Sequence, residues 1–387
     1  MPISPLNRRN FLKASGAAVT VALAPRGLRA ATAKPNAYSF ILLGDIHYDR
    51  PEHHDMAWVK KELPNIFSSI AGFCQKTKEI LPPLFATVRQ TVADLNRNPD
   101  TRVAFVLQVG DVVQGACGSA ELAARQNSDA LQFVRDAQLG APFIFTKGNH
   151  DISGAGATEA FARVFHPFLT EQTRALNADA TAVTTGRYIV EHANSQFVFF
   201  DAYEPTTSLE WFEAVAVRRT AEHFFVVVHP PVVPYGARSN WTIFSSDKDR
   251  PKREKMMDIL GRQHGLVLSG HLHRYSSLGR QTPGGRFAQF ALSSIVYNLD
   301  VQPVLERSGL KDYNGDLVNV EPKFSPDTEQ LRRALFEAER PGITSFEFAD
   351  LPGYAVVTVD GARVQIDMYS GVGRKLYRRV DFTGLLG

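Results

Sequence analysis

Five short polar clusters divide the chain, and each of them follows an apolar run rich in β-branched residues. The clusters are, in chain order, Gly44-Asp45-Ile46-His47, Gly110-Asp111, Gly148-Asn149-His150-Asp151, His229-Pro230 and Gly270-His271-Leu272-His273. Short apolar runs are typical of strands that are buried on both faces of a parallel sheet. Because the strands of a parallel α/β sheet present side chains to a ligand crevice at their carboxyl ends, we expect the five clusters to converge.

The apolar runs and the segments between them predict an α/β fold. Strands are predicted at 38–43, 103–109, 142–146, 224–228 and 266–269. The spacing of apolar residues predicts helices at 84–95, 122–134, 158–169 and 252–260. Alternation of strands and helices favours a largely parallel central sheet. We also expect a hairpin from 187–190 and 197–200, three antiparallel strands after residue 275, and a two-residue turn at Asp360-Gly361.

The first 33 residues read as an export signal. Arg8-Arg9 precedes an apolar stretch at 14–24 and a small-residue exit at Ala31-Thr32-Ala33. The stretch is shorter than the roughly 20 residues that span a bilayer, so we expect it to be cleaved. The segment resembles a twin-arginine signal, which implies an interaction with the export machinery and a periplasmic or secreted protein. An ordinary secretory signal that carries two arginines is the alternative.

Charge and hydropathy restrict the partners of the mature chain. Removing residues 1–33 takes five basic residues from 43 and no acidic ones from 40, which leaves 38 basic against 40 acidic. The sequence pI of about 8.8 therefore reflects the leader and gives no strong indication of nucleic-acid binding. We expect no membrane anchor in the mature chain. Cys74 and Cys117 could form one disulfide, which their spacing does not decide.

Taken in order, the five clusters resemble the motifs of the calcineurin-like metallophosphoesterase superfamily. That pattern is Asp-x-His, Gly-Asp, Gly-Asn-His-(Asp/Glu), His and Gly-His-x-His, and every part of it is present between Asp45 and His273. The resemblance implies an α/β/β/α sandwich of two mixed sheets with helices on the outer faces. We expect a single domain of this type at 34–387, with insertions near 50–83 and 298–344.

The resemblance also implies two metal ions held by seven side chains. The first ion would bind Asp45, His47 and His273, the second Asn149, His229 and His271, and Asp111 would bridge both. A carboxylate has two oxygens and can bridge, whereas an imidazole or an amide oxygen serves one ion. This donor set suits divalent or trivalent Mn, Fe or Zn. Two such ions lower the pKa of a shared water, and the resulting hydroxide would attack phosphorus in line.

Two further residues of the third cluster have expected roles in catalysis. In the family pattern His150 faces the substrate and stabilises or protonates the leaving oxygen. Asp151 would either accept a hydrogen bond from His150 and hold its ring, or cap the following helix. Asp49 and His54 closely follow the first cluster, so they could support a ligand or contact substrate.

The expected substrate is a phosphomonoester or a phosphodiester. Two alternatives remain open from the sequence. One is a pyrophosphatase or nucleotide hydrolase of the same superfamily, since these enzymes share the motifs. The other is a non-catalytic metal-binding scaffold that kept the fold and lost hydrolysis, because fold alone does not establish activity.

Overall fold

The computed structural model describes residue 34 and residues 36–236, 242–295, 298–317 and 326–387. The expected export signal at 1–33 lies outside these residues. The strands of the described part are β1 (Ala37–Leu43), β2 (Val103–Gln108), β3 (Phe143–Phe145), β4 (Tyr188–His192), β5 (Ser195–Phe199), β6 (His223–Val227), β7 (Leu266–Ser269), β8 (Tyr275–Thr282), β9 (Gly285–Ala291), β10 (Glu306–Ser308), β11 (Ile343–Ala349), β12 (Gly353–Asp360), β13 (Arg363–Ser370) and β14 (Lys375–Asp381). The helices are α1 (Met56–Glu62), α2 (Pro64–Glu79), α3 (Leu81–Leu95), α4 (Ala120–Asp136), α5 (Ala157–Leu176), α6 (Pro205–Val217), α7 (Arg250–Arg262) and α8 (Pro326–Glu339).

The strands form two mixed sheets. The first has the order β14-β13-β12-β1-β2-β3, and the second has the order β10-β11-β8-β9-β7-β6-β5-β4. Neighbours are parallel from β1 to β3 and along β5, β6, β7 and β9. The other pairs are antiparallel. The five strands that precede the polar clusters, β1, β2, β3, β6 and β7, are among these parallel strands, so the clusters lie at carboxyl ends of strands in both sheets.

Aromatic side chains join the two sheets face to face. The Phe40 ring on β1 lies 5.2 Å from Phe105 on β2, and 5.3 and 5.7 Å from Phe197 and Phe225 on the second sheet. The next residue of β6, Val226, belongs instead to a cluster with buried residues of α6 and α7. Successive side chains of a strand point to opposite faces. Helices α6 and α7 therefore cover the outer face of the second sheet, and the expected sandwich of two mixed sheets with helices is confirmed.

The five strands predicted before the clusters are present within two residues of their expected ends. The predicted helices are also present, as α3, α4, α5 and α7. The 187–190 hairpin is formed by β4 and β5. The turn near residue 360 is shifted by one residue: Asp360 pairs with Arg363, so the turn residues are Gly361 (φ +60°) and Ala362.

The expectation of three strands after residue 275 is wrong, because the described residues contain seven, β8 to β14. Strand β8 has the sequence YSSLGRQT, whose small and polar residues lack the apolar alternation that indicates a strand. The segment 50–83 contains α1 and α2, and the segment 298–344 contains β10 and α8.

The state of the two cysteines and the apolar length of the helices are two further features of the described residues. Cys74 and Cys117 are free in the structure: Cys74 Sγ donates to Asp49 Oδ2 (3.6 Å), and Cys117 Sγ donates to Gln126 Oε1 (3.3 Å). The disulfide left open by the sequence is therefore not formed. In the described part of the chain, no helix combines the length and apolar character needed to cross a bilayer.

Replacing Phe40 by alanine should destabilise the sandwich, because this fully buried ring contacts both sheets. We expect Phe40→Ala to lower the free energy of unfolding by about 3–5 kcal/mol, as measured by urea denaturation. The control Val217→Ala, at a side chain that is 80% exposed at the end of α6, should change it by less than about 0.5 kcal/mol. A loss at Phe40 no larger than that of the control would contradict the packing described.

Candidate metal centre

One group of potential ligands gathers side chains from three of the loops. Asp45, His47, Asp111 and His273 each offer one nitrogen or oxygen, and these four atoms lie within 4.8 Å of one another. His47 Nε2 is 3.2 Å from His273 Nε2 and 3.5 Å from Asp111 Oδ2. His273 Nε2 is 3.5 Å from Asp45 Oδ1. Spacings of this size fit donors arranged around one cation with bonds of about 2.0–2.2 Å.

A second group shares one member with the first. Asp111, His229 and His271 also offer atoms that lie within 4.8 Å of one another. His229 Nε2 is 3.1 Å from Asp111 Oδ2 and 3.2 Å from His271 Nδ1. Asp111 Oδ2 is therefore the atom that faces both groups, while Oδ1 accepts a hydrogen bond from the His150 N–H (2.8 Å).

Asn149 supplies an independent test of whether these residues fit a metal. Its side-chain oxygen Oδ1 is buried and has no hydrogen-bond partner among the described residues. Asn149 and His271 line the same cavity. A buried acceptor without a partner costs about 1–3 kcal/mol. A cation bound beside His271 would satisfy this oxygen, so the donor set fits the metal that the sequence predicts.

Hydrogen bonds orient two of the histidines for coordination. His47 Nδ1–H donates to Gln114 Oε1 (2.7 Å), and His229 Nδ1–H donates to the carbonyl oxygen of Val109 (2.7 Å). Both partners are acceptors, so the neutral form of each ring carries its proton on Nδ1 and presents the lone pair of Nε2 to the site. The sequence analysis did not identify Gln114, because this glutamine belongs to none of the motifs.

Burial and neighbouring charges set the protonation of the cluster. Burial, with His150 as a second cause, holds the pKa of His47 well below its ordinary value. Burial, together with His229, lowers the pKa of His271 to about 3. Burial opposes a charge on His229 too, but the Asp111 carboxylate outweighs it and raises the pKa of His229 to about 9. A cation bound at His229 Nε2 would therefore compete with a proton.

Four of the predicted ligands have a backbone that is rare for their residue types. The φ angles of His47, Asp111, His271 and His273 are 44°, 58°, 71° and 54°. Non-glycine residues in this left-handed region are uncommon and cost about 1–3 kcal/mol where the conformation is sparsely populated. Surrounding contacts must hold these loops, and concentrated strain of this kind is typical of functional sites.

The glycines of the motifs allow the loops to approach one another. A Cβ at Gly148 would overlap the Asp111 carboxylate, and one at Gly110 (φ +99°) would overlap the His229 ring. At both positions only glycine permits the close approach, and at Gly110 it also permits the positive φ.

The structure corrects both expectations for Asp151. Its carboxylate accepts from the backbone N–H groups of Asp111 (3.0 Å), Val113 (3.0 Å) and Gly148 (2.8 Å), and thereby ties the second polar cluster to the third. The residue that caps α5 is Gly156. Both oxygens of Asp151 are turned into the loop by these three donors. Burial, followed by the Asp111 charge, raises the pKa of Asp151 to about 7.

His150 is held through Nδ1 of its ring and through its backbone N–H. His150 Nδ1–H donates to the carbonyl oxygen of Gln114 (2.8 Å), and its ring centroid lies 4.5 Å from that of His47. Nε2 is therefore the nitrogen that remains for a substrate.

Asp49 and His54 support the segment that carries Gln114. Asp49 Oδ1 accepts from His54 Nε2 (2.7 Å) and from Gln126 Nε2 (2.8 Å). Gln126 Oε1 accepts from the Gly115 N–H (2.9 Å). His54 Nδ1–H donates to the carbonyl oxygen of Ala116 (3.1 Å). Burial opposes a charge on His54, but the hydrogen bond to Asp49 outweighs burial and raises the pKa of His54. A ring with an acceptor at each nitrogen must carry a proton on both.

Two sequence models of known proteins match this chain. The model of the calcineurin-like phosphoesterase family matches residues 38–275, and that of the twin-arginine translocation signal sequence matches residues 5–25. Among curated protein sequences, no significant match to this chain is found. The chain carries a twin-arginine signal and is an exported protein, periplasmic or secreted.

Solved structures resemble this chain at low sequence identity. Purple acid phosphatase PPD1 from yellow lupin (Lupinus luteus) seeds has a TM-score of 0.51 and 11% identity, over 92% of this chain and 56% of that chain. PhoD has a TM-score of 0.46 and 12% identity, over 90% and 69% of the two chains. A dimetal phosphatase from Danio rerio has a TM-score of 0.43 and 15% identity, over 90% and 100%.

This chain spans little more than half the length of the lupin protein, and its likeness to that structure concerns the fold. The family model, in contrast, covers more than half of this chain and includes all five polar clusters. The chain belongs to the calcineurin-like phosphoesterase family.

Proposed function

We propose that this protein is a dinuclear metal-dependent phosphoesterase that hydrolyses a phosphomonoester or a phosphodiester. The observation that carries the proposal is the position of Asp111 Oδ2, which lies 3.5 Å from His47 Nε2 in one ligand group and 3.1 Å from His229 Nε2 in the other. One carboxylate oxygen between two sets of imidazoles is the arrangement that a pair of bridged cations needs.

The proposed ligands follow the two groups. Asp45, His47 and His273 would hold one ion, Asn149, His229 and His271 the other, and Asp111 would bridge them. Mixed imidazole and oxygen ligands suit divalent or trivalent Mn, Fe or Zn. When bound, two such ions would lower the pKa of a water nucleophile and polarise the phosphoryl oxygens.

The side chains around the ligands have roles of their own. His150 would donate a proton from Nε2 to the leaving oxygen, because the Gln114 carbonyl and the Asp111 carboxylate fix its ring and backbone. Asp151 would act as a positioning residue, since it contacts backbone N–H groups of the loops that carry Asp111 and Asn149. An intact ligand set together with His150 favours an enzyme over a scaffold.

The function is tested by loading the purified protein with Mn, Fe or Zn and assaying p-nitrophenyl phosphate and bis(p-nitrophenyl) phosphate. We expect turnover of at least one ester, and His150→Ala should lower it by about 10²–10⁴-fold, the range for losing acid–base assistance. Metal content of the variant, measured by elemental analysis, should stay unchanged. His264→Ala, at an exposed histidine outside the centre, is the matched control.

Two results would contradict these assignments. Loss of metal from His150→Ala would make His150 a ligand and not a proton donor. A wild-type protein that binds two metal ions and hydrolyses neither ester would support the scaffold alternative.

The bridging role of Asp111 predicts a specific stoichiometry. Asp111→Asn replaces one carboxylate oxygen by an amide nitrogen, which is a poor bridge, so both ions should bind more weakly. Elemental analysis after dialysis should find fewer than two ions per chain, with neither group retaining full occupancy. Asp247→Asn, whose side chain is 81% exposed, should keep the wild-type content. Retention of one fully occupied ion in Asp111→Asn would show that Asp111 serves a single metal.

A further inference from the structure

A cavity of about 650 Å³ opens beside the second ligand group, with Asn149 and His271 in its wall. Pro230 of the fourth cluster also lines it, and the rest of the wall comes from three segments outside the motifs: residues 202–205 after β5, residues 242–246 with Asp249, and α8. This volume lies in the range of sites that hold an organic ligand, and it exceeds what a phosphate group alone requires.

Two hydroxyl groups in this wall have no partner among the described residues. They are Tyr203 Oη and Thr242 Oγ1, and both atoms are buried. Thr242 as a whole is only 2% exposed. Buried hydroxyls nearly always have a hydrogen-bond partner, so two such groups in one cavity indicate a ligand with acceptor oxygens. Burial, followed by the charge of Asp111, raises the pKa of Tyr203 well above its ordinary value.

The rest of the cavity wall is mainly apolar. Phe244 has a φ of +53°, an uncommon conformation for an aromatic residue, and the neighbouring Ile243 N–H donates to the carbonyl oxygen of Pro231 (3.0 Å). This bond fixes the segment that brings Phe244 to the cavity. On the facing helix α8, Leu331 lines the same cavity and is 61% exposed. An exposed leucine beside a catalytic centre offers apolar surface to a ligand.

We propose that this cavity is the subsite for the organic group of the phosphate ester, and that it selects an apolar group of aromatic size. Phe244 and Leu331 form the walls against which this group packs. Tyr203 and Thr242 donate hydrogen bonds to oxygens of the ester beside Asn149 and His271. The inference rests on the proposed function, which it deepens by naming the class of substrate.

The apolar wall is tested with Leu331→Ala, a substitution at an exposed position of α8. For metal-loaded enzyme, kcat/KM on 1-naphthyl phosphate should fall about tenfold relative to wild type, the scale of several lost methylene contacts. On methyl phosphate it should change less than about twofold, because this ester does not reach α8. Leu376→Ala, at another partly exposed leucine on β14, should leave both values unchanged.

The polar wall is tested with Tyr203→Phe, which removes one oxygen and keeps the ring. We expect kcat/KM to fall about 10–10²-fold on both esters, because the donor contacts the part that they share. Tyr38→Phe is the control, since Tyr38 Oη is also buried but lies at the start of β1, away from the centre.

A binding measurement separates failure of this inference from failure of the proposed function. The probe is 1-naphthylmethylphosphonate, which is not hydrolysed, titrated calorimetrically into metal-loaded protein. Weaker binding by Leu331→Ala and Tyr203→Phe, with both controls at the wild-type value, would support the subsite even for a protein that hydrolyses nothing. Equal binding by wild type and both variants, or equal loss of activity of Leu331→Ala on the two esters, would overturn it.

Discussion

The carboxylate of Asp111 is the group on which the centre depends. It is buried among imidazoles, with Oδ2 facing His47 and His229 and Oδ1 bonded to the His150 N–H. Burial opposes its ionisation, but the nearby histidines hold its pKa well below the ordinary value. An ionised carboxylate at this depth is tolerated only where positive charge compensates it. Asp151, bonded to the Asp111 N–H, fixes the backbone from which this charge is presented.

The two sheets make this arrangement possible because each contributes carboxyl ends of parallel strands. Asp45 and Asp111 follow β1 and β2 of the first sheet, whereas His229 and His271 follow β6 and β7 of the second. The aromatic contacts between the sheets, centred on Phe40, therefore determine the distance between ligands of different sheets. A rigid, close-packed interior is what allows strained loops to be held in one geometry.

Sequence predicted the parts of this structure that are encoded locally. Each apolar run and the polar cluster after it are contiguous, so the strands could be placed without knowing the sheet order. The division of the ligands between two metals came from the family resemblance. The strands after residue 275 were underestimated because β8 is rich in small and polar residues. Asp151 was assigned the wrong partners, since two of its three N–H donors, Asp111 and Val113, come from another loop about 40 residues earlier in the chain. Gln114 and Tyr203 lie outside every motif, and only the folded chain brings them to the site.

The chain separates the residues proposed for chemistry from those proposed for selecting the ester. The predicted ligands and His150 come from short loops of the family motifs. Thr242 and Phe244 come from a long loop outside any motif, and Leu331 comes from α8, within the expected 298–344 insertion. Catalytic geometry tolerates little change, because one carboxylate serves two groups. The cavity wall has no such constraint, since Thr242, Phe244 and Leu331 belong to neither ligand group. Substitutions in the wall can therefore alter which organic group is accepted while Asp111 and its partners stay as they are.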